Sequence, residues 1–320
     1  MKIERNDKMV SMIAASAMGR GNAEANKEIR EFTKTLMSNP SPENRYHMAQ
    51  LIQYAVDDGI TERTAYFDKI ADYKQIGDDD RAAFDIEYDT SYAVIQADNA
   101  SAPIWMPASK TVDVGTVEVA TRFRVSMYDI RSGKADLGKE TAKAIARLED
   151  KMTGVVLNVL DGAYNGTDIA APFYGTGSGV VATTLDPMIR HWQRYGATNL
   201  IGDIQILDKL AQSNGWVSDE MRNEYYNNGF LGKYKGANAY VMANGYQQDG
   251  VTPIMPASKL FILPNGMESP LKIVKRGEVL TVEETHADTA YFEMSLRQRF
   301  GAAIVYGNKP LMGVYVDSAA

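Results

Sequence analysis

The chain has 320 residues, of which 45% are hydrophobic and 23% charged, with 26 glycines and 11 prolines. These proportions fit a globular protein with a large core and exclude collagen-like, low-complexity and wholly disordered chains. The net charge of −7 gives no overall field that would attract nucleic acid, and the absence of cysteine excludes disulfides, thiolate catalysis and cysteine-ligated metals.

The first 75 residues carry helical patterns. Apolar residues spaced three and four apart predict a helix over residues 29–36, which Asn39-Pro40-Ser41-Pro42 ends. A second helix is predicted to stop at Asp57-Asp58-Gly59, and a third to run from Thr61 to Tyr73. Their apolar faces must pack on something, and the pattern fits packing on the same subunit as well as packing on a neighbour.

After residue 77 the hydrophobic period changes to two. Residues 84–112 predict a long β-hairpin with an irregular tip, and residues 117–125 predict a strand with one buried and one charged face. Residues 134–165 return to a helical period and predict one helix roughly 45 Å long. This helix is the strongest single element of the sequence.

The second half alternates between helical and extended patterns. Residues 167–180 are rich in glycine, lack the G-K-[ST] ending of a phosphate loop, and are interpreted as a flexible domain boundary. Short helices are predicted to begin at Asp186-Pro187 and to cover residues 201–210. A strand is predicted over residues 237–242, and the last fifty residues read as strands.

We find no catalytic constellation in this sequence. The three histidines lie far apart, and the acidic run at residues 78–80 does not match a calcium loop. Glu283 and Glu284 lie next to each other on a predicted strand, so their side chains point to opposite faces and cannot share a site. The sequence therefore predicts no enzyme activity, cofactor or metal.

Basic residues cluster in two places. Arg122 and Arg124 share one face of a predicted strand, and Lys272, Lys275 and Arg276 follow later. Neither cluster is interleaved with aromatic residues in the manner of a single-strand binder. We interpret both as solvated faces or intersubunit salt bridges.

The order of these elements resembles the major capsid proteins of tailed double-stranded-DNA bacteriophages, whose fold is shared with encapsulins and herpesvirus capsid floors. The resemblance covers about residues 80–320 and is carried by the order of elements and by five stretches, residues 84–112, 134–164, 200–216, 229–236 and 291–310.

The resemblance implies an α+β subunit with four parts. They are a helical N-terminal arm (1–76), an E-loop hairpin (77–112), a P-domain (113–180) whose spine helix covers 134–165, and an α/β A-domain (181–270). Closing strands (271–320) return through the P-domain and the A-domain. Such a subunit self-assembles as hexamers and pentamers into an icosahedral phage head around double-stranded DNA, held by non-covalent contacts of its N-arm and E-loop.

The E-loop is the expected site of contact between subunits. A two-stranded hairpin is marginally stable alone in water, so an exposed hairpin that carries large apolar residues needs a partner. Trp105 is the first expected contact, and the full set is Tyr88, Tyr92, Ile104, Trp105, Met106 and Lys110. The alternative is that the hairpin folds onto its own core.

Two departures from the family pattern limit what the resemblance implies. Some family members form an isopeptide cross-link between an E-loop lysine and an asparagine on the closing strands, promoted by a nearby glutamate. Lys110 could stand at the lysine position. Residues 291–300, however, contain no asparagine, and their only carboxylate is Glu293. We therefore expect no cross-link, and a shell held by non-covalent packing or by separate cement or decoration proteins.

Other partners follow from the same resemblance. A portal is expected, and because the chain begins at Met1 we expect a separate scaffolding protein instead of a cleaved N-terminal segment. Packaged DNA would be held only loosely and non-specifically by a chain of this charge. No apolar run is long enough for a membrane span, and the expected location is the virion, assembled in the host cytoplasm.

Three alternatives stay open at this point. The first is an encapsulin-like nanocompartment shell. The second is an α/β carboxylate hydrolase, which would need two or more of Asp78, Asp79, Glu283, Glu284 and Asp288 in one pocket. The third is a tail-tube or decoration protein, which would not need the long helix over 134–165.

Overall fold

A computed structural model describes most of the chain. The residues it describes are 7–17, 20, 23–39, 41–64, 67–68, 70–88, 104, 106, 108–135, 137–163, 173–194, 196–212, 219–242, 246, 250–251, 253, 257–265, 269–286, 291–305 and 312–319. The helices are α1 (Asp7–Ala17), α2 (Ala23–Ser38), α3 (Pro42–Thr64), α4 (Met127–Ser132), α5 (Leu137–Ala163), α6 (Ala182–Gln193), α7 (Ile204–Gln212) and α8 (Asp219–Asn228).

Within these residues the strands form three sheets. The first has the order β1 (Asp72–Ile76), β10 (Leu271–His286), β11 (Tyr291–Ile304) and β4 (Val117–Ser126). The second is the hairpin of β2 (Ala83–Tyr88) and β3 (Ala108–Asp113). The third has the order β5 (Tyr174–Gly177), β12 (Gly313–Asp317), β9 (Lys259–Asn265), β6 (Ala197–Gly202), β8 (Ala237–Val241) and β7 (Lys233–Tyr234).

The largest core lies between the four-stranded sheet and the long helix α5. Phe292, Met294, Leu296 and Phe300 point inward from β11, and Ile145, Leu148 and Met152 face them from α5, all of them buried. Helix α3 covers the same sheet face with Ile52, Val56 and Ile60. The alternation predicted for β11 and the long helix predicted after residue 134 are both present.

The described part of the N-terminal arm packs on its own subunit. Met9, Val10 and Ile13 of α1 are buried in one cluster with Ile29 of α2 and Leu51 of α3. Helix α1 also lies against α5. For these residues the structure shows packing on the same subunit, one of the two alternatives that the sequence left open.

The predicted break between a second and a third N-terminal helix is wrong. Helix α3 continues through residues 57–59 and packs on α5 there. Gly59 permits this close contact, since a Cβ at that position would lie only 2.7 Å from Cδ1 of Ile145. That packing outweighs the helix penalty of glycine, about 1 kcal/mol. Residues 72–76 form no helix either; they are strand β1, parallel to β10.

The glycine-rich stretch is not a flexible connector over its described residues. Residues 174–177 form strand β5, which pairs in parallel with β12. A Cβ on Gly175 would lie 2.7 Å from Sδ of Met188, and Gly177 lies against the hydroxyl of Tyr315. The glycines are therefore required by close packing of helix α6 and β12 on this strand.

Two further boundaries differ from prediction. Helix α6 begins at Ala182 and contains Pro187 in its interior, because Leu185 belongs to the buried face that continues through Trp192. Ile201 lies in strand β6, not in a helix; β6 is central in its sheet and buried on both faces, so it lacks a period-two signal. None of the described helices is long and apolar enough to span a membrane.

Candidate functional site

The base of the hairpin is fixed to its own subunit. Phe84 is buried with Ala82, Val114 and Val274, so the first residues of β2 pack on β10. Lys74 Nζ lies 4.2 Å from the centre of the Phe84 ring and donates a hydrogen bond of 2.9 Å to the carbonyl of Ala83. The direction in which the hairpin leaves the four-stranded sheet is therefore set locally.

Two large apolar residues of the hairpin lie in water. Ile104 is 90% exposed and Met106 is 77% exposed, which is unusual for large apolar side chains. Lys110 is exposed on β3 opposite Ile86, and Tyr88 is half-buried at the end of β2. Tyr92 and Trp105 lie outside the described residues. The structure thus brings Tyr88 and Lys110 onto one hairpin and leaves their contact with a neighbour a prediction.

One face of the hairpin is acidic. Asp85 and Glu87 are exposed on β2, and their cross-strand neighbours Thr111 and Ser109 are small and polar. Thr111 donates a hydrogen bond of 2.6 Å to Asp85. Asp113 on the same face forms an ion pair with Arg81. Residues 83–113 contain five carboxylates and one lysine, so the hairpin as a whole is strongly acidic.

The four-stranded sheet has a charged outer face, which we call the open sheet face. Its residues, on β4, β11 and β10, are Glu118, Arg122, Arg124, Leu280, Val282, Glu284, Tyr291, Glu293, Ser295, Arg297 and Arg299. Among the described residues no helix or strand packs across the middle of this face. Leu280 and Val282 are 57% and 45% exposed on it.

A central carboxylate organises the arginines of the open sheet face. Arg122 donates from Nη2 to Glu284 and to Glu293, each at 3.0 Å. Arg124 donates to Glu293 at 3.1 and 3.3 Å. The side chain of Glu293 is only 8% exposed, whereas both arginines keep about half of their surface in water. Arg122 and Arg124 are therefore paired within the chain, which sequence reasoning missed because it could not assign the register of β11 against β4.

The second basic cluster was interpreted wrongly. Lys272 and Lys275 are fully buried, although the sequence predicted a solvated face or an intersubunit salt bridge. Lys272 Nζ lies 3.0 Å from Asp72 of β1, and Lys275 Nζ lies 2.8 Å from Asp57 of α3. The carboxylates that neutralise these lysines come from elements about 200 residues earlier, so these charges hold α3 and β1 to β10.

The four described carboxylates among those named for the hydrolase alternative do not converge. Glu283 and Glu284 point to opposite faces, and burial raises the pKa of the Glu283 carboxyl, partly offset by the charge of Arg45. Asp78 and Asp79 line an open cleft of about 810 Å³ at the other end of β11, roughly 20 Å away by strand rise. Asp288 lies outside the described residues. Over the part of the chain that the structure describes, no three acidic or histidine side chains are grouped to hold a metal ion.

Comparison with known proteins identifies the fold. The family model described as "SPbeta prophage-derived putative capsid protein YonB" matches residues 3–316. The fold is shared by the mature capsid of bacteriophage PhiM1, with 9% identity and a TM-score of 0.55 over 78% of this chain and 86% of that one.

Two further solved structures share the fold. The capsid of the native GTA particle has 11% identity and a TM-score of 0.53, over 79% of this chain and 90% of the other. The capsid of cyanophage P-SCSP1u has 10% identity and a TM-score of 0.52, over 78% and 87%. No curated protein matches the sequence. The predicted α+β fold of tailed-phage major capsid proteins is confirmed.

Proposed function

The chain belongs to the YonB family of prophage-derived capsid proteins, and from that membership we propose that it is the subunit from which a phage head is built. In this proposal the chain self-assembles as hexamers and pentamers into an icosahedral shell around double-stranded DNA. Its role is structural and its chemistry is that of protein–protein contact, with no cofactor or metal.

The exposed hairpin is the observation that carries the proposal. A two-stranded sheet gains too little from its own pairing to hold large apolar side chains in water. Ile104 and Met106 are nevertheless exposed, while the base of the hairpin is fixed by Phe84. Burial of apolar area against a neighbour at about 25 cal/mol per Å² would supply the missing stabilisation. The hairpin therefore has the properties of an intersubunit contact.

The other parts of the subunit receive matching roles. We assign the hairpin to the E-loop, helix α5 to the spine helix, and the four-stranded sheet with α5 to the P-domain. The six-stranded sheet with α6 and α7 is assigned to the A-domain near the capsomer axis. Because the described helices of the N-terminal arm bury their apolar faces within the subunit, their contribution to contacts between subunits would come from their exposed polar faces.

Cohesion of the shell would be non-covalent. The closing strand β11 offers Glu293 but no asparagine between residues 291 and 300, and Glu293 is engaged by Arg122 and Arg124. A Lys110–asparagine isopeptide bond at this strand therefore lacks its second partner. Cement or decoration proteins, a portal and a separate scaffolding protein remain proposed partners, with packaged DNA held only by weak non-specific contact. The location would be the virion, with assembly in the host cytoplasm.

The hairpin contact is tested by removing its apolar side chains. We expect Trp105→Ala and the double variant Ile104→Ser/Met106→Ser to lower the yield of shells at least tenfold, measured by sedimentation and light scattering of the purified protein. The matched control is Tyr46→Ala/Tyr128→Ala, which removes exposed aromatic surface from helices α3 and α4. Equal shell yields from the hairpin variants and the wild type would contradict the assignment of the hairpin.

A further inference from the structure

We infer that strand β2 of one subunit pairs edge to edge with strand β4 of a second copy, and that Asp85 and Glu87 then face Arg124 and Arg122. The inference rests on the proposed function and deepens it by naming the surface that receives the hairpin. It is carried by two independent observations, the unpaired strand edges and the matched spacing of opposite charges.

The first observation is that both strands end a sheet. β4 is the last strand of its sheet and pairs with β11 over ten residues from Val117 to Ser126. Among the described residues its other edge has no strand partner. Within the described part of the chain, β2 likewise pairs with β3 alone. An exposed edge of ten residues presents a row of backbone donors and acceptors and is a template for another chain.

The second observation is charge complementarity with the same period. Arg122 and Arg124 are two residues apart on the open sheet face, and Asp85 and Glu87 are two residues apart on the acidic face of β2. Directly opposed residues on paired strands have Cβ atoms about 4.5–5.5 Å apart, so one register satisfies both charge pairs at once. In the antiparallel arrangement, the commoner of the two, Glu87 lies opposite Arg122 and Asp85 opposite Arg124.

The arginines keep bonding capacity for such a partner. A guanidinium carries five N–H donors, and the bonds to Glu293 and Glu284 use Nη2 of Arg122 together with Nε and Nη2 of Arg124. Their side chains remain 55% and 51% exposed. Glu293 thus fixes the two guanidinium groups and leaves them available to a second pair of carboxylates.

The partner must be another copy of the chain. Among the described residues of one subunit, β2 pairs with β3, its base packs against β10, and β2 forms no pairing with β4 of the same chain. The five carboxylates and single lysine of residues 83–113 give the hairpin the charge that suits the arginines.

Because the chain contains no cysteine, engineered disulfides report this pairing without background. We expect Glu87→Cys/Arg122→Cys, and separately Asp85→Cys/Arg124→Cys, to give covalent oligomers on a denaturing gel after assembly in oxidised glutathione. The control Glu87→Cys/Glu118→Cys displaces one cysteine by four residues, roughly 13 Å along β4. That separation exceeds the reach of a disulfide, about 7 Å between Cα atoms. A sheet stacked about 10 Å away, face to face, would not be linked either.

A second measurement uses the unmodified chain. We expect backbone amide exchange in residues 117–126 to slow at least tenfold when wild-type subunits enter shells, because the edge of β4 becomes hydrogen-bonded. Shells that form normally while neither cysteine pair links more than the control, or while exchange in β4 is unchanged, would overturn the pairing and leave the capsid role intact. Failure of the wild type to form shells would instead count against the proposed function.

Discussion

The Nζ atom of Lys275 lies 2.8 Å from Oδ1 of Asp57, a residue 218 positions earlier in the chain. Lys275 is fully buried, Asp57 keeps 20% of its side chain exposed, and Thr61 accepts a second hydrogen bond from the lysine at 2.9 Å. This contact holds helix α3 on the strand β10, and it joins the N-terminal arm to the centre of the four-stranded sheet.

Removal of Asp57 should therefore be costly. Asp57→Ala leaves the Lys275 charge buried without its carboxylate, and we expect the free energy of unfolding in urea to fall by about 3 kcal/mol. The double variant Asp57→Ala/Lys275→Met, which removes both charges, should recover most of that loss. As a control, Glu140→Ala breaks a surface pair with Lys143 and should cost no more than about 0.5 kcal/mol. Equal stabilities for Asp57→Ala and the wild type would contradict this role.

Stability should depend on pH through Asp317. Burial alone would raise the pKa of this carboxyl, but hydrogen bonds from Lys209 and from the N–H groups of Ala319 and Gly179 outweigh it and hold the pKa below its usual value. The stability that the Asp317 carboxylate contributes to the folded state is fully present above the unfolded-state pKa of about 3.9. It is lost as the pH falls through the lower folded-state pKa.

The free energy of unfolding of Asp317→Asn should accordingly be about 1 kcal/mol lower than that of the wild type between pH 5 and 8. This value is at the low end for hydrogen bonds to a charged group, because Lys209 is 43% exposed and water screens its charge. The difference should shrink below about pH 4. Thermal unfolding of both proteins across that range provides the measurement, and a difference that grows as the pH falls would be inconsistent with the sign of the shift.

The hairpin base depends on a close approach of two glycines. A Cβ on Gly301 would overlap the carbonyl oxygen of Gly115 and lie 3.1–3.2 Å from two further backbone atoms, which cannot move aside as a flexible side chain can. We expect Gly301→Ala to lower the free energy of unfolding by about 2 kcal/mol or more. Gly115→Ala, with nothing within 4 Å of its new Cβ, is the matched control and should stay within about 0.5 kcal/mol of the wild type.

The elements with a strong hydrophobic period were predictable from the sequence. The period of residues 137–163 specifies one buried stripe, and the alternation of residues 291–300 specifies one buried face, so each pattern could fit only one kind of element. β6 was mistaken for part of a helix because a central strand is buried on both faces and shows no alternation. Gly59 was mistaken for a helix stop because the contact with Ile145 comes from a different helix.

The candidate site was predictable only in part. A hairpin follows from residues 84–112, since turn residues separate two extended limbs, and the structure describes its paired strands β2 and β3. The partners of charged residues did not follow, because Lys275 finds Asp57 and Arg122 finds Glu293 through pairings set by tertiary structure. A lysine within a predicted strand is expected to be solvated unless the sequence also indicates the carboxylate that pairs with it. Here that carboxylate lies some two hundred residues away in the chain.

Assembly of the purified, untagged chain is the most direct test of the central claim. Negative-stain electron microscopy with light scattering, performed on the chain alone and with a scaffolding protein supplied, should show closed shells or rings of five and six subunits. A preparation that stays monomeric or dimeric at high concentration under both conditions would contradict the account.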